Sequence, residues 1–352
     1  MLKHTVHSIT FLPRAVLLLG SVAFMLSSCS KVTVAGQHGQ DSSAITFTDV
    51  AAKSVVTDPS DIGSFSVWGW RTDNSSATPT PAEVFSATEV SRTGTSWTYE
   101  GTRYWMPENT YDFYALYPDT ATLTAEDRNG HKAAESAAYD ADGTLTVIGF
   151  DSTSGHDLMT ASRTKMSYQE GQPAQSVALT FSHLLTRITL VCRPFSDQTV
   201  TGYDPRVYLA KLYGLCTKAS FHSDIYTPDN AQYNGWTVFD ESSVTTEDAP
   251  YADADIPEGG KKIESSTDLL SDILVFPQQT FKPGMSFKIE WSASEGNRRT
   301  NVIELITLPL ESWVGGMHYV YTFTISPEGR IIFDKPSVQE WEEATGGIII
   351  IE

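Results

Sequence analysis

Positive charge is scarce in this chain of 352 residues: 24 Lys and Arg stand against 43 Asp and Glu, for a formal net charge of −19. Binding to a phosphate backbone is driven by counterion release to clustered basic groups, and the sequence carries no basic stripe, so nucleic acid is excluded as a partner. Cysteine is scarcer still, with three residues, which excludes a disulfide framework. Long apolar runs are missing as well. The stretch from Ala15 to Leu26 is too short to cross a ~30 Å hydrocarbon core as a helix, which needs about 20 residues. Catalytic signatures are also lacking: there is no G-x-S-x-G elbow, no H-E-x-x-H, no phosphate loop and no dinucleotide fingerprint. The histidines beyond the leader, His38, His131, His156, His183, His222 and His318, are scattered without metal-ligand spacing, and His183 at the end of a strand is read as a hydrogen-bonded structural residue. Asp140-Ala-Asp142-Gly143 and Asp253-Ala-Asp255 look like fragments of calcium loops whose other ligands are missing, and acidic turns account for them better. No catalytic residue, metal or cofactor is expected, and the chain is not read as an enzyme.

What is present begins with a leader. Lys3 and Arg14 precede the apolar stretch, which ends in Leu26-Ser27-Ser28-Cys29. That ending resembles the lipobox of bacterial lipoproteins, in which small residues admit the peptidase and the Cys thiol takes the lipid. The resemblance implies a signal peptide over residues 1–28, lipidation at Cys29 and anchoring in the outer membrane. Residues 29–44 are then a polar, Gly/Ser-rich tether.

Beyond the tether, alternation of period two dominates. Ile45 to Val50, Phe65 to Trp70, Tyr111 to Tyr117 and Leu145 to Phe150 read as strands, with a hairpin expected between Trp97-Thr-Tyr99 and Tyr104-Trp105. Glu170-Gly-Gln-Pro173 reads as a boundary. Strands follow at 177–181, 187–192, 207–215, 273–276, 287–291, 302–308, 319–325 and 331–333. Short polar helices are compatible with 125–138 and with Thr267 to Ile273, but neither has a wide apolar stripe. The expected fold is therefore all-β, with two antiparallel β-sandwiches in tandem over residues 45–168 and 174–352. Trp68 and Trp70 share a strand face and are read as core, with a sugar-stacking platform as the competing use. Cys192 is in phase with Ile188 and Leu190, and Cys216 with Leu212. Two free thiols within the second sandwich are favoured over a disulfide.

Several segments, in order, carry a resemblance: Tyr104-Trp105, Tyr111-Asp-Phe-Tyr-Ala-Leu-Tyr-Pro118, Asp157-Leu-Met-Thr-Ala161, Leu179-Thr-Phe-Ser-His-Leu-Leu-Thr-Arg-Ile188, Phe276-Pro-Gln278, Trp313-Val-Gly-Gly-Met-His-Tyr-Val-Tyr321 and Trp341. Together they are similar to the fimbrillin family of lipoprotein pilus subunits. The resemblance implies transthyretin-like sandwiches, a surface-exposed location at the cell outer membrane, assembly with other fimbrial subunits into fimbriae, and adhesion or biofilm formation. It also implies that a protease removes the first strand and opens a groove for a strand of another subunit. This sequence departs from the arginine-specific pattern: the segment after the first strand offers Lys53, and the first mature Arg is Arg71, within a predicted strand. Lys53 is the candidate cut site, with a permanent first strand as the alternative.

The chain ends in Gly346-Gly347-Ile348-Ile349-Ile350-Ile351-Glu352. An unalternating β-branched run needs apolar cover on both faces or a closed groove. Residues 347–352, with Ile348, Ile349, Ile350 and Ile351, are thus a candidate donor strand, or alternatively the last strand of their own sandwich. The principal expectation is a structural subunit, shaft or anchor, assembled by strand addition. Its alternative is a tip or non-polymerising surface lipoprotein that binds a glycan, a host protein or another bacterial surface ligand.

Overall fold

A computed structural model describes residues 43–52, 62–197, 199–223, 235–238, 241–278 and 280–341. All of them lie in one compact unit, residues 41–352. In chain order the strands are β1 (Phe47–Ala52), β2 (Ser64–Asp73), β3 (Pro81–Thr93), β4 (Ser96–Tyr99), β5 (Asn109–Tyr117), β6 (Ser136–Tyr139), β7 (Leu145–Asp151), β8 (Met159–Ser167), β9 (Val177–His183) and β10 (Thr186–Pro194). They continue as β11 (Arg206–Tyr213), β12 (Lys218–His222), β13 (Trp236–Val238), β14 (Ala252–Asp253), β15 (Lys261–Lys262), β16 (Thr267–Val275), β17 (Ser286–Ser292), β18 (Arg299–Glu304), β19 (Met317–Ile325), β20 (Ile331–Phe333) and β21 (Ser337–Glu340). One short helix, α1 (Thr120–Thr124), has Asp119 as its cap, whose carboxylate accepts the Thr122 amide. Among the described residues no helix is long and apolar enough to cross a membrane.

The first layer is a seven-stranded sheet in the order β1-β9-β8-β5-β2-β3-β4. All seven strands send side chains into one cluster that includes Phe47, Phe65, Val90, Tyr99, Phe113, Ala161 and Phe181. The sheet curls round this cluster until its edge strands β1 and β4 touch. Strand β2 is buried on both faces. Phe65 and Val67 point into that core, while Trp68 and Trp70 enter a second one with Leu145, Phe150, Phe221, Phe276 and Trp341. The second core is roofed by a four-stranded sheet, β13-β12-β7-β6. It joins β7 to β12, pairing Asp151 with Lys218 and Thr146 with His222.

The remaining strands form a sandwich. One sheet is β16-β10-β19-β20, with β21 also on β19; the other is β14-β11-β17-β18, with β15 on β11. Between them lie Ile188, Leu190, Cys192, Leu212, Phe287, Trp291, Trp313, Tyr321 and Phe323. Among the described residues two strand pairs are parallel, β1 with β9 and β10 with β19.

Four local expectations give way. The segment Thr267 to Ile273 is strand, because β16 pairs with β10 through register shifts that set Leu269-Leu270 and Ile273-Leu274 at a spacing that mimics a helix. Residues 125–138 contain no helix; the described helix ends at Thr124 and β6 begins at Ser136. The expected hairpin does not form, since Trp97 to Tyr99 pair with β3 and Tyr104 bridges to Ala44. Strand β9, expected to open the second half, is hydrogen-bonded into the first sheet between β1 and β8.

Candidate functional site

The alternation Ile45-Thr46-Phe47-Thr48 turns Ile45 and Phe47 into the core, where they are 1% and 3% exposed, and leaves the threonines facing out. This opening segment has neighbours of unequal kind. On one side, β1 pairs in parallel with β9, matching Phe47 with Val177 and Thr48 with Ala178, then slipping register before Ala51 with Thr180. The Val177 amide donates to the Thr46 carbonyl at 2.7 Å, and the Thr46 and Ser176 hydroxyls meet at 2.8 Å. On the other side there is a bracket of loop: the Ile45 amide donates to the Arg103 carbonyl at 2.9 Å, and the Trp105 amide to the Ser43 carbonyl at 2.8 Å.

That bracket is fixed from beneath. The Arg103 guanidinium donates to the carbonyls of Val84 (3.0 Å), Glu100 (2.6 Å) and Gly101 (3.0 Å), and lies over the rings of Phe85 and Tyr99. Tyr99 donates its hydroxyl to the Ile45 carbonyl at 2.8 Å, and burial pushes its pKa up, so it remains a donor. Trp105 packs edge-on against Tyr111, whose hydroxyl accepts the Met106 amide at 2.8 Å. The Phe47 ring sits among four others, Phe85 at 5.7 Å, Tyr99 at 5.9 Å, Phe113 at 6.2 Å and Phe65 at 6.3 Å, all edge-to-face. Ile45 and Phe47 each stabilise the fold by roughly 1.5–3 kcal/mol through burial alone. The opening segment thus sits between the β9 strand and the bracket of Tyr99, Arg103 and Trp105, with Ile45 and Phe47 in two side-chain slots.

A second cluster joins segments far apart in sequence. His183, buried at the end of β9, pairs through Nδ1 with Oδ2 of Asp157. Burial pushes the Asp157 carboxyl up, opposed by the His183 hydrogen bond and by the charges of His183 and Arg187. Trp341 stacks on the His183 ring at 3.9 Å and 12°, and the Arg187 guanidinium lies over the Trp341 ring at 5.9 Å from its centroid. The Trp341 amide donates to the Gly316 carbonyl at 2.9 Å. Strand-pattern reasoning did not find this grouping. The only signal was that Asp157, His183, Arg187 and Trp341 all fall in the segments quoted above.

The sequence-predicted positions divide. Cys29, Lys53 and Ile348 to Ile351 lie outside the described residues. Arg71 lies within β2, paired to Ala82 on one side and Tyr111 on the other, and is not in a loop. Trp68 and Trp70 are buried, so they form no exposed stacking platform. Cys192 and Cys216 are free thiols; Cys192 is buried, whereas Cys216 is half-buried with its sulfur 3.1 Å from the Ser243 hydroxyl. Among the described residues no three His, Cys, Asp or Glu side chains converge as for a metal. Asp142 accepts the Thr144 amide at 3.0 Å, the geometry of a turn.

No curated protein matches the chain. Among solved structures, a fimbrial protein of Bacteroides vulgatus is 18% identical, with a TM-score of 0.51 over 85% of this chain and 99% of that one. A Bacteroides uniformis protein described under cell adhesion is 19% identical, with a TM-score of 0.46 over 85% and 98%. The first of these likenesses supports the fold alone. A family model described as fimbrillin-like matches residues 59–341, most of the chain, and on that match the protein belongs to the fimbrillin-like family.

Proposed function

We propose that this chain is a structural subunit of surface fimbriae, joined to its neighbours by strand addition at the groove beneath β1. The observation that carries the reading is the position of β1: a strand at the sheet edge, in parallel and interrupted register, that nevertheless plugs the centre of a core. Its removal leaves the remaining six strands of that sheet paired as they were, and opens a site with main-chain partners for affinity and side-chain slots for register. In this reading Cys29 carries the lipid that holds the chain to the outer membrane, and Lys53 is where the first strand is released. Ile348 to Ile351 are the strand offered to another subunit. In this reading the seven-stranded sheet receives a strand and the segment beyond the sandwich supplies one. Other fimbrial subunits are the partners.

The test is to lock β1 in place. Thr48 and Ala178 are exposed partners across the β1·β9 pair, and Thr48→Cys together with Ala178→Cys places two thiols within disulfide reach. Oxidised chains are expected to fold but to form no filaments in electron micrographs, and reduction is expected to restore them. Filaments from the locked chain in normal number would refute strand addition at this groove. The mass and N-terminal sequence of the protein recovered from cells read lipidation at Cys29 and cutting at Lys53 together.

A further inference from the structure

The shape of the groove says which strand it takes. The slot that holds Phe47 has walls made of four aromatic rings at interplanar angles of 72° to 86°. Two of these rings lie against the bare backbone of Gly69, where even a methyl group would come within 3.0 Å of Phe85 and 3.1 Å of Phe113. Phe85 and Phe113 are thus seated closely on β2 as well as against Phe47. An aliphatic side chain in this slot forfeits the edge-to-face contacts and leaves a void that its neighbours cannot fill. Two residues earlier, the Ile45 slot takes an aliphatic side chain. Between the two slots, Thr46 turns outward to meet the Ser176 hydroxyl, and Thr48 is exposed beyond them. The groove thus reads a pattern: aliphatic, polar, aromatic, polar.

The tail of this same chain does not match. Gly346 to Glu352 contains four consecutive isoleucines and no aromatic residue. Laid in the groove, it would put isoleucine in the phenyl slot and further isoleucines on the face where Thr46 and Thr48 stand. Building on the strand-addition reading, we infer that the groove selects a donor strand bearing an aromatic side chain at the Phe47 position. A second copy of this chain therefore does not fill the groove through residues 346–352. Specificity at this site is then set by the misfit of the wrong strand as much as by the fit of the right one.

The test uses the whole mature chain with a sequence-specific protease site inserted between Ala52 and Ile62, so that after cutting, β1 is held only by non-covalent contacts. Fluorescent peptides are then offered: residues 43–52, the same peptide with Phe47→Ile, and residues 346–352 extended by lysines for solubility. The native peptide is expected to exchange into the groove, with the Phe47→Ile peptide about tenfold weaker or more and the tail peptide no better than that. Binding of the Phe47→Ile or tail peptide within about threefold of the native one, less than a single aromatic contact is worth, would overturn the selectivity while leaving strand addition standing. Failure of the native peptide itself to enter would overturn strand addition at this groove and the selectivity with it.

Discussion

Among the described residues each half of the molecule contains one parallel strand pair, and the two are built differently. β10 and β19 run side by side in unbroken register from Arg187 with His318 to Pro194 with Ile325, and β19 has further strands on its other side. β1 and β9 share a shorter ladder with a slip between Thr48 and Ala51, and β1 ends its sheet. Both place aromatic residues in a core: Tyr319, Tyr321 and Phe323 from β19, and Phe47 from β1. The difference teaches that burial and permanence are separate properties. A strand ordered by two neighbours in continuous register opens only when the sandwich opens, whereas an edge strand with the same buried side chains can leave a folded remainder behind.

The largest effect that sharpens this contrast comes from truncating one ring in each strand. Phe323→Ala removes a fully buried ring from a central strand, and chemical denaturation is expected to show a loss of about 3–5 kcal/mol. Phe47→Ala removes an equally buried ring, yet its measured loss is expected to be smaller, because β1 detaches before the remainder unfolds. Increased amide exchange should be confined to β1, β9 and residues 103–105. Equal global losses from the two would erase the distinction.

Next in size is Asp119, which ties the head of α1 to the start of β2. Its carboxylate accepts from the Ser64 hydroxyl at the start of β2 (2.8 Å) and from the amide and hydroxyl of Thr122 at the head of α1 (2.9 and 2.8 Å). Burial raises its pKa, but these hydrogen bonds outweigh it and hold the carboxyl below its ordinary value of 3.8. A lowered folded-state pKa means that folding favours the ionised form. The contribution is complete above the unfolded pKa and is lost as pH falls through the folded one. Asp119→Ala is therefore expected to cost about 1–2 kcal/mol at neutral pH. The difference from wild type should shrink in acid, below pH 3.8, as followed by denaturant midpoints across pH. A pH-independent difference would contradict this account of the cap.

The smallest effect lies on the replaceable side. Tyr99→Phe deletes only the hydroxyl that donates to the Ile45 carbonyl. A loss of about 0.5–1.5 kcal/mol is expected, expressed as faster exchange of the Ile45 and Val177 amides, while β10 and β19 keep their protection. Slower exchange, or a change spread evenly through the molecule, would place Tyr99 outside the bracket.

Much of this was legible in the strand pattern and part was hidden for physical reasons. Ile45 and Phe47 announce an inward face through alternation, and Cys192 follows Ile188 and Leu190 into the core as its phase requires. Strand β3 escaped notice because bulges opposite Val67, Gly69 and Trp70, with Ala87 at a φ of +44°, break its alternation. β16 resembled a helix for the same reason, with Asp272 at a φ of +58° within the irregular stretch. Parallel pairing is not written in a single strand at all, since period two is the same whichever way the neighbour runs. The union of β7 with β12, across the boundary expected near Pro173, depends on contacts remote in sequence that no local pattern records. A groove under the first strand was implied only by the resemblance, and the aromatic surroundings of Phe47 could not be read locally because Phe65, Phe85, Tyr99 and Phe113 come from four strands.

Native-state hydrogen exchange on the intact chain tests the central claim, that β1 opens while the rest stays folded. The amides that β1 makes or covers, Ile45, Trp105 and Val177, are expected to exchange through local opening, at rates that barely respond to low denaturant. The amides of the β10·β19 ladder are expected to exchange only through global unfolding, with a steep denaturant response. If the β1 amides share the slow exchange and steep response of that ladder, β1 is an integral strand and the groove beneath it is not a site of exchange.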